Sequence, residues 1–219
     1  MPDDLGYLAE PSGPATAGVV VVHDWYGQLP HVRALADELA AAGLAAAGLA
    51  ALAVDLYDGR TTTDPGQAEK LAGQMDRAAA PTRLDDAAAT LKDRTGGGPV
   101  GVVGWSLGGM WAVDLATRGN VDAAAIYYAA GEEDDAAKIR CPVLLHLAET
   151  DEFDPPEFYE GFVTALRAAG TEVDVHTWPG TEHSFANRDV ALHAPDAAGE
   201  AWSITVRFLR DHLLGVAAG

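Results

Sequence analysis

Apolar, β-branched runs alternate with segments of helical period along this chain, and that alternation restricts the fold more than any other feature. Gly18 to His23 (G-V-V-V-V-H) is apolar at every second and every intervening position, the pattern of a strand covered on both faces. His31 to Ala42 follows, with Val32, Leu35 and Leu39 on one helical face and Ala36 beside them. The same reading gives strands at Leu52 to Leu56, Val100 to Val103, Ala123 to Tyr128 and Val143 to Leu147. Glu172 to Trp178 alternates like a strand with one wetter face. Helices are expected at Pro65 to Ala79, Thr82 to Arg94, Leu107 to Arg118, Pro156 to Ala169 and Ala198 to Leu214. A β-α-β-α rhythm of this kind predicts an α/β fold, a mainly parallel sheet with helices on both faces. No linker or composition break divides the chain, so residues 1–219 are expected to form one domain. Asp58 to Gly66 reads as a surface loop. The pentapeptide A-A-A-G-L occurs twice in tandem, at Ala40 to Leu44 and Ala45 to Leu49, too short a period for a solenoid.

Charge excludes several classes of partner. Fourteen Lys and Arg face 33 Asp and Glu, a formal net charge of −19. Such a field repels nucleic acid and anionic membranes, whose binders carry basic patches. A saline habitat and a genome biased toward Ala, Gly, Asp and Arg both fit the composition. A lone cysteine, Cys141, permits no internal disulfide, as in a reducing cytoplasm. No apolar run approaches the ~20 residues that span a bilayer. The acidic start, M-P-D-D-L-G-Y, lacks the features of a signal peptide, so a cytoplasmic protein is expected.

One of only four serines, Ser106, sits in Gly104-Trp105-Ser106-Leu107-Gly108, which fits the G-x-S-x-G nucleophile elbow. The motif needs a strand that turns at once into a helix, and here a strand precedes and a helix follows. The central residue is then strained and exposed, and the helix N-terminus lies beneath it, favouring negative charge. A serine hydroxyl needs a base. Among seven histidines, His183 lies in the turn-rich W-P-G-T-E-H-S-F-A directly after the Glu172–Trp178 strand, at the same sheet edge as the elbow. His176, within that strand, reads as structural. An acid must orient the base. Asp151, in A-E-T-D-E-F-D-P-P at the end of another strand, is one candidate, and Asp154 is its rival; Glu149 and Glu152 are weaker. The order Ser106, Asp151, His183 is that of an α/β-hydrolase. Backbone N–H groups of Leu107, next after the serine, and of Trp25, in V-V-V-V-H-D-W-Y-G, are candidates for an oxyanion hole. Trp111, Trp202 and Phe208 read as core, and Cys141 as a small buried apolar residue. The spacings H-E-x-x-H and C-x-x-C are missing, so no metal is expected.

With these stretches in view, the chain resembles the dienelactone hydrolase family of α/β hydrolases. The likeness is carried by G-Y-L-A, V-V-V-V-H-D-W-Y-G, A-V-D-L-Y-D-G, G-V-V-G-W-S-L-G-G, C-P-V-L-L-H-L-A-E-T-D-E-F-D-P and P-G-T-E-H-S-F-A, in order along nearly the whole chain. The resemblance implies Ser106 as nucleophile, Asp151 rather than Asp154 as acid, His183 as base, and oxyanion donors at Trp25 and Leu107. It places Asp24 where the family has an acidic residue close to the nucleophile. The best-known members carry Cys at the position of Ser106, and an arginine for the substrate carboxylate where this chain has Asn187, with Arg188 next. A second substrate-binding arginine has no secure match, Lys70 and Arg77 being only nearby.

The expected activity is hydrolysis of a small-molecule ester or lactone through an acyl-enzyme, without cofactor, by a monomer or homodimer. Tyr57, Trp105, Phe153, Phe185 and Asn187 are the expected pocket residues. A non-catalytic small-molecule binder on the same fold, and a peptidase or amidase with the same three residues, are the alternatives.

Overall fold

The computed structural model describes residues 5–43 and 47–215. Among them seven strands form one sheet: β1 (Gly6–Ala9), β2 (Ala15–Val22), β3 (Gly48–Val54), β4 (Val100–Trp105), β5 (Ala123–Tyr127), β6 (Val143–Thr150) and β7 (Val173–Glu182). Their order is β1-β3-β2-β4-β5-β6-β7. Only β1 runs antiparallel, against β3; every other pairing is parallel. The parallel strands therefore end on one common edge, where ligands of such sheets bind.

Among the described residues seven helices accompany the sheet: α1 (Pro30–Ala41), α2 (Pro65–Gln74), α3 (Ala80–Arg94), α4 (Leu107–Thr117), α5 (Glu133–Ala136), α6 (Pro156–Ala168) and α7 (Pro195–Leu214). The period-two alternation of the strands divides them between two faces. Val19, Val21, Ala51, Ala53 and Val103 pack under α1 and α7, against Val32, Leu35, Leu39, Ala201 and Leu209. Val20, Val22, Leu52, Val102, Ile126 and Leu145 pack under α3, α4 and α6, against Leu84, Leu91, Leu115, Phe162 and Leu166. Each such large side chain contributes about 1.5–3 kcal/mol through burial. Trp202 and Cys141 are buried, whereas Trp111 and Phe208 pack from half-buried positions.

The expected α/β layering is present, with local shifts that have physical causes. The strand expected at Leu52 to Leu56 is β3, Gly48–Val54, which ends earlier because Asp55 turns the chain. Its carboxylate accepts from the Tyr57 N–H at 2.8 Å, and the Leu56 N–H donates to His23 Nε2 at 3.1 Å. Helix α2 stops at Gln74 because Met75 is extended and the Asp76 carboxylate accepts from the N–H groups of Ala78 and Ala79. Strand β7 runs on through Pro179, which an edge strand tolerates. The four-residue β1 and α5 carry no periodic signal. In the tandem pentapeptide, residues 44–46 lie outside the described residues, and Gly48 and Leu49 open β3. Among the described residues no helix is long and apolar enough to cross a membrane.

Candidate active site

Strand β4 passes into α4 through a single residue, Ser106, held at φ 51° and ψ −117°. A non-glycine residue in that region is strained by about 1–3 kcal/mol and needs its surroundings to hold it. Two bonds do so: Ser106 N–H donates to the Tyr127 carbonyl at 3.0 Å, and the Ser106 carbonyl accepts from Met110 N–H at 2.9 Å. The turn also demands glycine on either side. A Cβ on Gly104 would run into the Gly108 carbonyl, and one on Gly108 into the carbonyls of Val22 and His23.

His183 follows β7 directly, and Asp151 follows β6. The sheet brings both to the elbow: His183 Nε2 lies 2.8 Å from Ser106 Oγ, and His183 Nδ1 lies 2.9 Å from Asp151 Oδ2. An ionised carboxylate can only accept, so Nδ1 carries the proton. Nε2 then presents its lone pair to the serine hydroxyl, the arrangement a general base requires.

Burial pushes the Asp151 carboxyl up, but the hydrogen bond and charge of His183 outweigh it. Asp151 Oδ1 also accepts from Phe153 N–H at 3.0 Å, and Oδ2 from the Tyr159 hydroxyl at 2.7 Å. The net result lies below the ordinary value, so the acid stays charged. Nothing in the sequence pointed to Tyr159 in this role. The imidazole is buried between aromatic rings, with Phe153 at 4.5 Å and Tyr128 at 4.8 Å between ring centroids.

Ser106 and His183 open into a cavity of about 200 Å³. Trp25, Leu107, Met110, Tyr128 and Phe153 line it, with Ala72, Ala129 and Asp154. Of the expected pocket residues, therefore, Phe153 is on the wall and four are elsewhere. Tyr57 is fully buried against His23. Trp105 points to the α7 side of the sheet, against Tyr127 and Trp202. Phe185 packs on Tyr127, Tyr128 and Trp178. Asn187 is buried, and its amide donates to Asp24 Oδ2 at 2.7 Å. Met110 was open to detection, since it falls one helical turn after Leu107. Tyr128 follows β5 directly, at φ 37°, and carries no pattern of its own.

Asp24 precedes Trp25 in the loop after β2 and is buried. Burial pushes its carboxyl above the usual carboxylate range, against the opposing effects of His31, the Tyr26 N–H and Asn187. Oδ1 accepts from Tyr26 N–H at 2.9 Å and Oδ2 from Asn187, so both oxygens are engaged. Asp154, the rival acid, sits on the cavity wall, and burial and the neighbouring Asp151 raise its carboxyl. A larger groove of about 460 Å³ lies between α6 and the β6–β7 pair, but neither Ser106 nor His183 lines it. Cys141 is buried far along the chain from the elbow, and burial pushes its thiol up to about 11. Among the described residues no group of three or more His, Cys, Asp or Glu side chains is placed to hold a metal ion.

The profile of the dienelactone hydrolase family matches residues 5–213. Protein usf of Aquifex pyrophilus is 29% identical over 227 residues, covering 95% of this chain and 93% of the relative. A carboxymethylenebutenolidase of Pseudomonas putida is 33% identical over 115 residues, 51% of this chain and 48% of that enzyme. A crystal structure described as a dienelactone hydrolase-like promiscuous phosphotriesterase, P91 from metagenomic libraries, superposes with a TM-score of 0.78 at 22% identity, over 92% of this chain and 88% of that one. Its likeness is one of fold. With a family match over nearly its whole length, on this sheet and with this elbow, the chain belongs to the dienelactone hydrolase family of α/β hydrolases.

Proposed function

We propose that the chain hydrolyses carboxylic esters or lactones through an acyl-enzyme on Ser106. The observation that carries this reading is the run of hydrogen bonds from Ser106 Oγ to His183 to Asp151, 2.8 and 2.9 Å long, at a strained elbow. Ser106 Oγ attacks the carbonyl carbon while His183 Nε2 takes its proton. Asp151 holds the ring in the required tautomer and stabilises the imidazolium. The carbonyl oxygen becomes an oxyanion facing the N–H groups of Leu107 and Trp25, both residues of the cavity wall. The positive end of α4 adds to their effect. His183 then gives its proton to the leaving alcohol, and the ester bond breaks. Water, deprotonated by His183, attacks the acyl-enzyme, and the acid departs with Ser106 restored.

Ser106→Ala tests this reading with little risk to the fold, because alanine keeps the backbone and loses only the hydroxyl. We expect kcat on a para-nitrophenyl ester to fall by roughly 10³-fold or more, and covalent labelling by a fluorophosphonate probe to vanish. Unchanged turnover would refute the mechanism. Failure of the wild-type protein to label would favour a binder without catalysis.

A further inference from the structure

We infer that the site accepts esters with an uncharged acyl group and turns away those whose acyl group carries a carboxylate. The inference rests on the hydrolase reading and adds the substrate class. Among the described residues no lysine or arginine lines the cavity, while Asp154 stands on its wall. Asp151, negative and in contact with His183, lies directly behind. Asn187 is a neutral amide committed to Asp24 and lies off the cavity wall. Arg188, the next residue, is turned outward and grips Glu38 at 2.7 and 3.3 Å. The positive end of α4 is directed at the carbonyl under attack, at the cavity floor. What remains of the rim is apolar: Met110 and Phe153 are each 52% exposed beside the opening, with Trp25 packed on Phe153. An anionic acyl group would therefore lose water at a surface that offers it repulsion and no partner. The field of a chain with net charge −19 also slows the approach of anions. The volume, about 200 Å³, suits a short acyl chain.

The test compares two isosteric substrates: the para-nitrophenyl half-ester of glutaric acid, and the ester in which an isopropyl group replaces its carboxylate. Spontaneous hydrolysis is subtracted. One unit charge at ~6 Å, at an effective dielectric constant of ~40, is worth on the order of tenfold in kcat/KM, so the neutral ester should be preferred by at least that factor. Asp154→Asn should narrow the preference by roughly tenfold. In the wild-type protein the rate on the half-ester should rise with added salt while the rate on the neutral ester stays level, a readout that needs no variant. Equal rates on the two esters, a preference for the half-ester, or a salt-independent ratio would overturn the inference and leave the hydrolase reading standing. A ratio unmoved in Asp154→Asn would overturn the part assigned to that residue. Turnover of neither ester would remove both readings together.

Discussion

Replacing Asn187 by leucine removes a side-chain donor to a buried carboxylate and keeps the number of side-chain heavy atoms. Asn187 and Asp24 are 1% and 2% exposed, and the bond between them is 2.7 Å long. A hydrogen bond to a charged group contributes about 1.5–3 kcal/mol, and the penalty is greater where the partner stays buried. The same substitution frees the Asp189 N–H from Asn187 Oδ1, 2.9 Å away in a half-buried position, for about 0.5–1.5 kcal/mol more. The sum is roughly 2–4 kcal/mol, or a fall in Tm of about 4–16 °C at this chain length. The pH dependence gives a sharper check. Asp24 already holds its proton more tightly when folded than when unfolded, because burial raises its carboxyl. Such a group lowers stability above its folded-state pKa, and the deficit fades as pH falls toward the unfolded value. Loss of the Asn187 donor raises the folded-state pKa further. The variant's deficit relative to the wild type should therefore be largest near pH ~7.5 and shrink markedly near pH ~4.5. Urea denaturation of both proteins at the two pH values measures this. A deficit below ~0.5 kcal/mol, or one equal at both pH values, would refute the view that Asn187 serves the Asp24 charge. Because the bond ties the Trp25 loop to the loop after His183, kcat should fall as well.

Two further substitutions probe the supports of the site. Thr205→Val deletes a fully buried hydroxyl that meets His146 Nε2 at 3.0 Å and the Tyr127 hydroxyl at 2.8 Å, so calorimetry should show a loss of about 2–3 kcal/mol, largely restored by Thr205→Ser. His146 is held down to about 3, first by burial and then by His176, so this region loses stability as pH falls below ~6.5, where the unfolded imidazole protonates and the folded one does not. Gly108→Ala drives a methyl group into the carbonyls of Val22 and His23, which should cost about 3 kcal/mol or more and separate Leu107 from Trp25. Denaturation midpoints together with kcat on a neutral ester would check it, and wild-type values of both would contradict the packing argument.

The elbow was legible in the sequence because its demands are local. A strand, a serine and two glycines at fixed offsets leave little freedom, and Ser106 stands where they put it. The His183 loop was legible through topology, since a loop after a parallel strand must lie at one edge. The contest between Asp151 and Asp154 was not settled by residue reading alone, because both follow the same strand. Distance separates them: Asp151 Oδ2 meets His183 Nδ1 at 2.9 Å, whereas Asp154 takes a place on the cavity wall. The pocket was the least legible part. Trp105 was expected at the pocket, yet strand alternation sends it to the face of Val103, toward Trp202. Tyr57, Phe185 and Asn187 are absorbed by packing and by Asp24, which only the folded chain reveals.

The serine, the acid and the base hang from the ends of β4, β6 and β7, and the Trp25 loop from β2. Ser106 and His183 are 77 positions apart, and His183 and Asp151 are 32 apart. No hairpin or fragment of the chain can hold them in register. Such distant pairings close late, after the entropy of long loops has been overcome. Turnover in this protein is thus a census of the whole sheet: a partly assembled molecule gives no signal, and the last strand to dock switches it on.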